Sequence, residues 1–162
     1  MSGGLFAETD LNALYFSRSD ADQLLGAWSP HPFQLEAREW PTVEHYFQAM
    51  KFADPAYQEK IRRAESPKQA RKLGRTRFKK IRADWRKVKV VVMTRALYTQ
   101  CRTYSHKAGA LLDTGDQRLV ENSSYDYFWG CGRDRRGTNM YGQVLMNVRN
   151  KLRQEASDHQ TP

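Results

Sequence analysis

A chain of 162 residues with 40% hydrophobic and 28% charged side chains has the size and composition of one globular domain with a substantial core. No apolar run approaches the roughly 20 residues of a membrane span, and Met1 to Asp10 lacks the basic region and apolar core of a signal peptide. A cytoplasmic location with no membrane partner is therefore expected. The formal net charge of +9 is regional: from Lys60 to Arg95, fifteen Lys or Arg stand against Glu65 and Asp84, so this segment carries +13 and the remainder −4. Such a field favours phosphate-bearing partners, from a nucleotide-sized ligand to a nucleic-acid backbone. Solvated helix faces account for part of the run, and no zinc-finger or RNP-type motif accompanies it.

In chain order, Leu14 to Ser17 and Phe33 to Trp40 read as short strands or extended segments around a Ser29-Pro30-His31-Pro32 turn. Thr42 to Phe52 is expected to be a helix, with Pro41 and Thr42 at its start and no breaker inside. Asp54-Pro55 and Ser66-Pro67 each supply a cap followed by a first-turn proline, so two further helices begin there, the second stopping near Gly74. From Ala83 to about Tyr104, Trp85, Val88, Val92, Ala96 and Thr99 recur at helical spacing; this is expected to be the longest helix. A shorter helix from Ser105 ends near Gly115, and Leu119 to Glu121 is extended. The Gly-rich, charged stretch from Gly130 to Thr138 is a loop, and Tyr141, Leu145, Val148 and Leu152 mark a terminal amphipathic helix. Residues 1–10 and 154–162 are expected to be frayed ends of a single domain spanning 1–162. The expected class is a mainly α, compact domain with a small β element.

Cys101 and Cys131 lack CxxC or Cys/His spacing, and His31, His45, His106 and His159 are scattered, so neither a disulfide framework nor a metal site is indicated. Cys131, within Gly-Cys-Gly, reads as a small filler residue. Neither a dinucleotide fingerprint nor a Walker sequence occurs, so no cofactor is expected.

Two constellations carry chemistry. At about 3.6 residues per turn, Glu44, Gln48 and Lys51 share one helix face while Val43, Phe47 and Met50 form an apolar stripe on another. A carboxylate, an amide and an amine in a row suit catalysis; from spacing alone they also fit a surface helix whose Glu and Lys are solvated. The second is Asp126-Tyr127-Phe128-Trp129-Gly130-Cys131-Gly132. An indole can stack on a base, glycines admit a ribose or phosphate, and Asp126 can bind sugar hydroxyls. A tight turn pinned by a core tryptophan has the same composition.

These motifs form an ordered series. It runs through Tyr15-Phe16-Ser17, the Trp40 to Phe52 run, Ser66-Pro67 with Ala70 and Leu73-Gly74-Arg75, and Asp84-Trp85 with Lys89 and Met93. It continues through Thr114-Gly115-Asp116, Leu119-Val120-Glu121, Asp126 with Trp129-Gly130 and Gly132, and Asn139 with Gly142, Leu145-Met146 and Arg149. Over roughly Tyr15 to Leu152 the chain thereby resembles the NADAR/YbiA-like family of N-glycosidases. The chain departs from the family at Leu25-Gly26-Ala27-Trp28, where a small residue, Asn and an aromatic often follow Leu, and at Cys131 and Tyr141.

The resemblance implies a compact, mainly helical fold and cleavage of a bond between ribose and an amino-bearing base, without metal or cofactor and with no obligate protein partner. It implies two substrate classes: phosphorylated ribosylamino-pyrimidine intermediates of riboflavin synthesis, and ADP-ribose attached to guanine in nucleic acid. A non-catalytic module binding nucleotide, ADP-ribose or nucleic acid is the third reading. On this basis Glu44 is the expected acid/base group. Lys51 is either an amine nucleophile, its pKa lowered by burial or neighbouring cations, or an electrostatic clamp. Gln48 would orient the carboxylate or a sugar hydroxyl, Trp129 stack on the base, Asp126 bind ribose, and Ser17, Gly130 and Asn139 complete the substrate site. Arg75, Arg77, Lys79 and Lys80 are candidate phosphate contacts, and Trp85 is expected in the core.

Overall fold

The computed structural model describes residues 12–160. The expectation of a frayed segment at 1–10 lies outside the described residues, as do residues 161 and 162. Among the described residues there are six helices and four short strands, a mainly α architecture with a small β element, as expected. Contacts divide the described residues into two compact units: Ser19–Ser105, and 12–18 with 106–160.

The unit Ser19–Ser105 contains the hairpin β2 (Phe33–Leu35) and β3 (Arg38–Trp40) and the helices α1 (Val43–Ala49), α2 (Pro55–Arg62), α3 (Pro67–Gly74) and α4 (Trp85–Thr103). The stretch Phe33 to Trp40 is not one extended segment: it folds back as an antiparallel pair with Phe33 opposite Trp40. Glu36 and Ala37 turn it with φ of 55° and 62°. Two successive left-handed residues make the tight turn whose twist suits a hairpin, and neither Gly nor Asn announces it here.

The starts of α1, α2 and α3 are chemically explicit. Thr42, in extended conformation, accepts the His45 N–H to cap α1, Asp54 caps α2 through Ala56, and Ser66 caps α3 through Gln69. Pro55 and Pro67 occupy the first turns, where a missing N–H costs nothing. α1 is buried on every side, from Val43 through Ala49. Trp40 and Tyr46 stack edge to face at 5.2 Å, and Phe47 meets Trp85 at 5.1 Å. α1 packs against α2, α3 and α4, and is the centre of this unit.

The other unit contains β1 (Leu14–Phe16) and β4 (Leu119–Glu121), paired in parallel with Tyr15 opposite Val120, together with α5 (Ser105–Asp113) and α6 (Met140–Gln160). α6, not α4, is the longest helix, at 21 residues against 19. Its buried Tyr141, Val144, Leu145, Val148 and Leu152 keep the expected periodicity, and its backbone stays helical through Gln160. Cys101 and Cys131 are buried and free, and burial raises the Cys131 thiol pKa.

Candidate active site

The row Glu44, Gln48, Lys51 begins on the first turn of α1. The Glu44 N–H donates to the Ala27 carbonyl at 3.0 Å, which ties the helix start to the preceding loop. Thr42 Oγ1 and the Ala64 carbonyl engage the two ring nitrogens of His45 at 2.8 and 3.0 Å. Burial lowers the His45 pKa, and a neutral ring donating from Nε2 to Ala64 and accepting at Nδ1 fits both partners.

The row is not a solvated face. Glu44 is 2% exposed and Gln48 4%. Glu44 Oε1 accepts from Gln48 Nε2 at 2.9 Å and from Arg71 Nε, on α3, at 2.8 Å. Burying a carboxylate demands such partners, because desolvation of an unpaired charge is prohibitive. Arg71 is held in turn by Ser19 Oγ at 2.7 Å, and its guanidinium lies 5.0 Å from the centroid of the Trp28 ring.

Gln48 is pressed against Gly74, the last residue of α3. A Cβ at position 74 would overlap Gln48 Oε1, so the glycine leaves the room that the Gln48 amide occupies. Gln48 Oε1 is itself buried without a hydrogen-bond partner, an acceptor left over beside the carboxylate. Lys51 Nζ lies 3.5 Å from the Gly74 carbonyl. Burial lowers the Lys51 pKa to about 8; Glu44 opposes that shift, while Arg75 and Arg71 reinforce it.

Arg71 also lines a cavity of about 680 Å³ with Trp28, Lys68, Lys72 and Arg75. An indole and four cations around one hollow can accept a planar group carrying phosphate. Of the four candidate phosphate contacts, Arg75 lines this cavity. Lys79 lines a second cavity of about 380 Å³. Arg77 and Lys80 are exposed and line neither of these two. Trp85 packs on Phe47 as a half-buried support of α1.

The second constellation belongs to the other unit, where its groups serve one another. Arg18 Nη1 pairs with Glu121 Oε2 at 2.9 Å and Arg18 Nη2 with Asp126 Oδ2 at 2.6 Å. Asp126 Oδ1 accepts the N–H groups of Phe128 at 3.0 Å and Trp129 at 2.8 Å, so this carboxylate organises the turn that presents Trp129. Desolvation opposes ionisation of Asp126, but Arg18 and those N–H groups outweigh it and lower its pKa. Gly130 is needed because a Cβ there would press on Glu121 Oε2. Asn139, at φ 53°, accepts from Glu121 N and donates to the Leu119 carbonyl, both at 2.8 Å, tying the start of α6 to β4. Ser17 is half-buried at the end of β1.

Sequence reasoning missed Arg71, held by Ser19, as the partner of the row, and Arg18, shared with Glu121, as the partner of Asp126. The usable signal was energetic: a helix buried all round cannot carry Glu44 without a cation, yet nothing in the spacing selects Arg71 from the surrounding basic residues.

Residues 6–153 match the NADAR domain. The chain is 38% identical over 138 residues to N-glycosidase YbiA of Escherichia coli strain K12, covering 85% of this chain and 86% of that one. It is 40% identical over 140 residues to the chloroplastic riboflavin biosynthesis protein PYRR of Zea mays, covering 77% of this chain and 22% of the maize protein. The solved NMR structure of E. coli YbiA superposes with a TM-score of 0.83 at 37% identity, covering 92% of this chain and 89% of that one.

Proposed function

The chain belongs to the NADAR-domain family of N-glycosidases, and from that premise we propose that it hydrolyses the bond between ribose and an exocyclic amino nitrogen of a base in a phosphorylated substrate. Ribosylamino-pyrimidine intermediates of riboflavin synthesis are the substrate class this reading favours; the maize relative's name supports it. The observation that carries the reading is the buried Glu44–Arg71 pair: its carboxylate interacts with Lys51, an amine of lowered pKa, and its guanidinium lines a cationic cavity walled by Trp28.

In this mechanism the glycosylamine first opens. The bond from C1′ to the ring oxygen breaks as the nitrogen lone pair forms an iminium, and the ring oxygen takes a proton. Neutral Lys51 adds to C1′, its extra proton passes to the base nitrogen, and the bond from C1′ to that nitrogen breaks, leaving a Schiff base on Lys51. Water then adds to C1′, the bond to Nζ breaks, and the sugar and the free lysine are regenerated. Glu44 relays the protons through Oε2, because Oε1 is held by Gln48 and Arg71. Gln48 Oε1, buried and without a partner, accepts a hydrogen bond from a sugar hydroxyl. Arg75 meets the phosphate, with Lys68 and Lys72 lining the same hollow. We assign Asp126, Gly130 and Asn139 to shaping the turn that presents Trp129, with Ser17 nearby in sequence to Arg18.

The alternative substrate, ADP-ribosylated guanine in an oligonucleotide, contains the same kind of bond, and the basic segment suits its phosphates as well. Wild type, Glu44→Gln and Lys51→Ala incubated with each substrate separate the readings by base release. Release from the ribosylamino-pyrimidine phosphate alone, lost in both variants, supports the proposal. Release from the oligonucleotide alone transfers it to modified nucleic acid. Failure on both with retained ADP-ribose binding replaces it with a binding module.

A further inference from the structure

The segment after α3 presents a large apolar ring to water. Phe78 is 94% exposed, in the sequence Arg75-Thr76-Arg77-Phe78-Lys79-Lys80-Ile81-Arg82. The segment is anchored at both ends: Thr76 N–H donates to the Leu73 carbonyl at 3.3 Å, and Arg82 N–H to the Lys51 carbonyl at 2.8 Å. Phe78 also lines the 380 Å³ cavity, together with Tyr57, Lys60, Lys72 and Lys79. That cavity shares Gln69 and Lys72 with the larger one, so the two hollows are contiguous along α3.

We propose that this is a binding surface for single-stranded nucleic acid, in which Phe78 stacks on a base and Lys60, Lys72 and Lys79 hold the neighbouring phosphates. An aromatic platform combined with a cationic groove is what binds single strands without sequence readout, because every base has a stackable face and every link a charge. The contiguity with the larger cavity gives the groove the reach of successive nucleotides. Lys79 currently pairs with Asp54 at 3.2 Å on the exposed rim and lies over Tyr57 at 5.5 Å; a phosphate would displace Asp54, an exposed carboxylate whose loss of a partner costs little. An anionic membrane surface fits less well. Only Phe78 stands fully clear, Ile81 is 41% exposed, and the lysines line a concave cleft instead of a plane.

The surface goes beyond the hydrolytic proposal, and its test involves no turnover. A labelled twelve-nucleotide single strand is titrated with the full chain by fluorescence anisotropy at 50 and 200 mM salt, alongside a duplex of the same length and phosphatidylserine vesicles. The single strand is expected to bind more tightly than the duplex. Phe78→Ala should weaken binding about fivefold or more, equivalent to about 1 kcal/mol of stacking, and Phe78→Trp should restore it. Lys60→Glu should flatten the dependence of log Kd on log salt by about 0.7, one phosphate contact on a single strand. Equal affinity of Phe78→Ala and wild type, or duplex binding as tight as single-strand binding, overturns the proposal. Phe78-dependent capture by vesicles with no binding of the oligonucleotide also overturns it and assigns the surface to lipid.

Discussion

Glu44 and Arg71, 27 residues apart, form a buried ion pair in which Arg71 Nε donates to Glu44 Oε1 at 2.8 Å. The carboxylate side chain is 3% exposed, so that charge has no bulk water to fall back on, whereas the guanidinium, 14% exposed, opens onto the cavity and keeps Ser19 as a partner. Removing Arg71 therefore strands a buried anion. Arg71→Ala is expected to lower unfolding stability by about 3 kcal/mol, measured by urea denaturation. Glu44→Gln, which leaves an amide of the same shape, should cost clearly less stability while lowering kcat by about a hundredfold or more. Equal stability of Arg71→Ala and wild type would show that water already compensates Glu44.

Gly74 is predicted to matter through Gln48. In Gly74→Ala the new Cβ claims the space of Gln48 Oε1 and drives the amide away from Glu44. The expected result is a stability loss of about 1–3 kcal/mol together with a fall in kcat. Pairing it with Gln48→Ala, which vacates that space, should recover much of the lost stability without recovering kcat. Additive stability losses in the double variant would contradict the clash.

The hairpin turn offers a test in the opposite direction. Ala37 sits at φ 62°, a conformation that penalises any Cβ. Ala37→Gly should stabilise the protein by about 1 kcal/mol, visible as a raised Tm, with activity unchanged. This turn also shows where the sequence was silent. The strand propensity of Phe33 to Trp40 was legible, but the reversal was not, because Glu36 and Ala37 are not turn residues and are held by what packs around them. Glu36 accepts from Tyr46 Oη at 3.2 Å and pairs with Arg95 at 3.2 Å, partners 10 and 59 residues away. Burial, reinforced by Glu36, pushes the Tyr46 hydroxyl up to about 12.

The same division runs through the site. The caps Thr42, Asp54 and Ser66 and the helical spacing of Glu44, Gln48 and Lys51 are local properties, and the sequence displays them. Burial of that row is a property of how α1 packs between α2, α3 and α4, and nothing in an i, i+4, i+7 pattern distinguishes a solvated polar stripe from one sealed by Arg71 and Gly74. The aromatic–glycine run from Asp126 to Gly132 was visible as a turn or a pocket wall. The bonds from the Phe128 and Trp129 N–H groups that make Asp126 a turn organiser are local, but the cation that holds its other oxygen, Arg18, is 108 residues distant.

Lys51 gives a pH prediction with a definite sign. With its pKa lowered from 10.5 to about 8, chiefly by burial, the amine is mostly protonated at neutral pH and neutral above about 8. A nucleophilic Lys51 makes kcat/KM rise about tenfold per pH unit below that value and level off above it. A clamping ammonium instead keeps kcat/KM level below that value and makes it fall above it. The depressed pKa also means that the unfolded chain holds this proton more tightly than the folded one. The stability cost is complete below pH 8 and relieved as pH climbs towards 10.5. Lys51→Met is therefore expected to raise stability at pH 7 while abolishing turnover, measured by denaturation and base release on the same preparation.

The central claim is that Lys51 attacks C1′ and carries the sugar through a Schiff base. Sodium borohydride added during turnover of a ribosylamino-pyrimidine phosphate, followed by proteolysis and mass mapping, tests it most directly. The account predicts a reduced pentose phosphate adduct on Lys51, present in wild type and absent in Lys51→Ala. Turnover that proceeds under those conditions with no adduct on Lys51 would contradict it and leave water as the group that attacks the sugar.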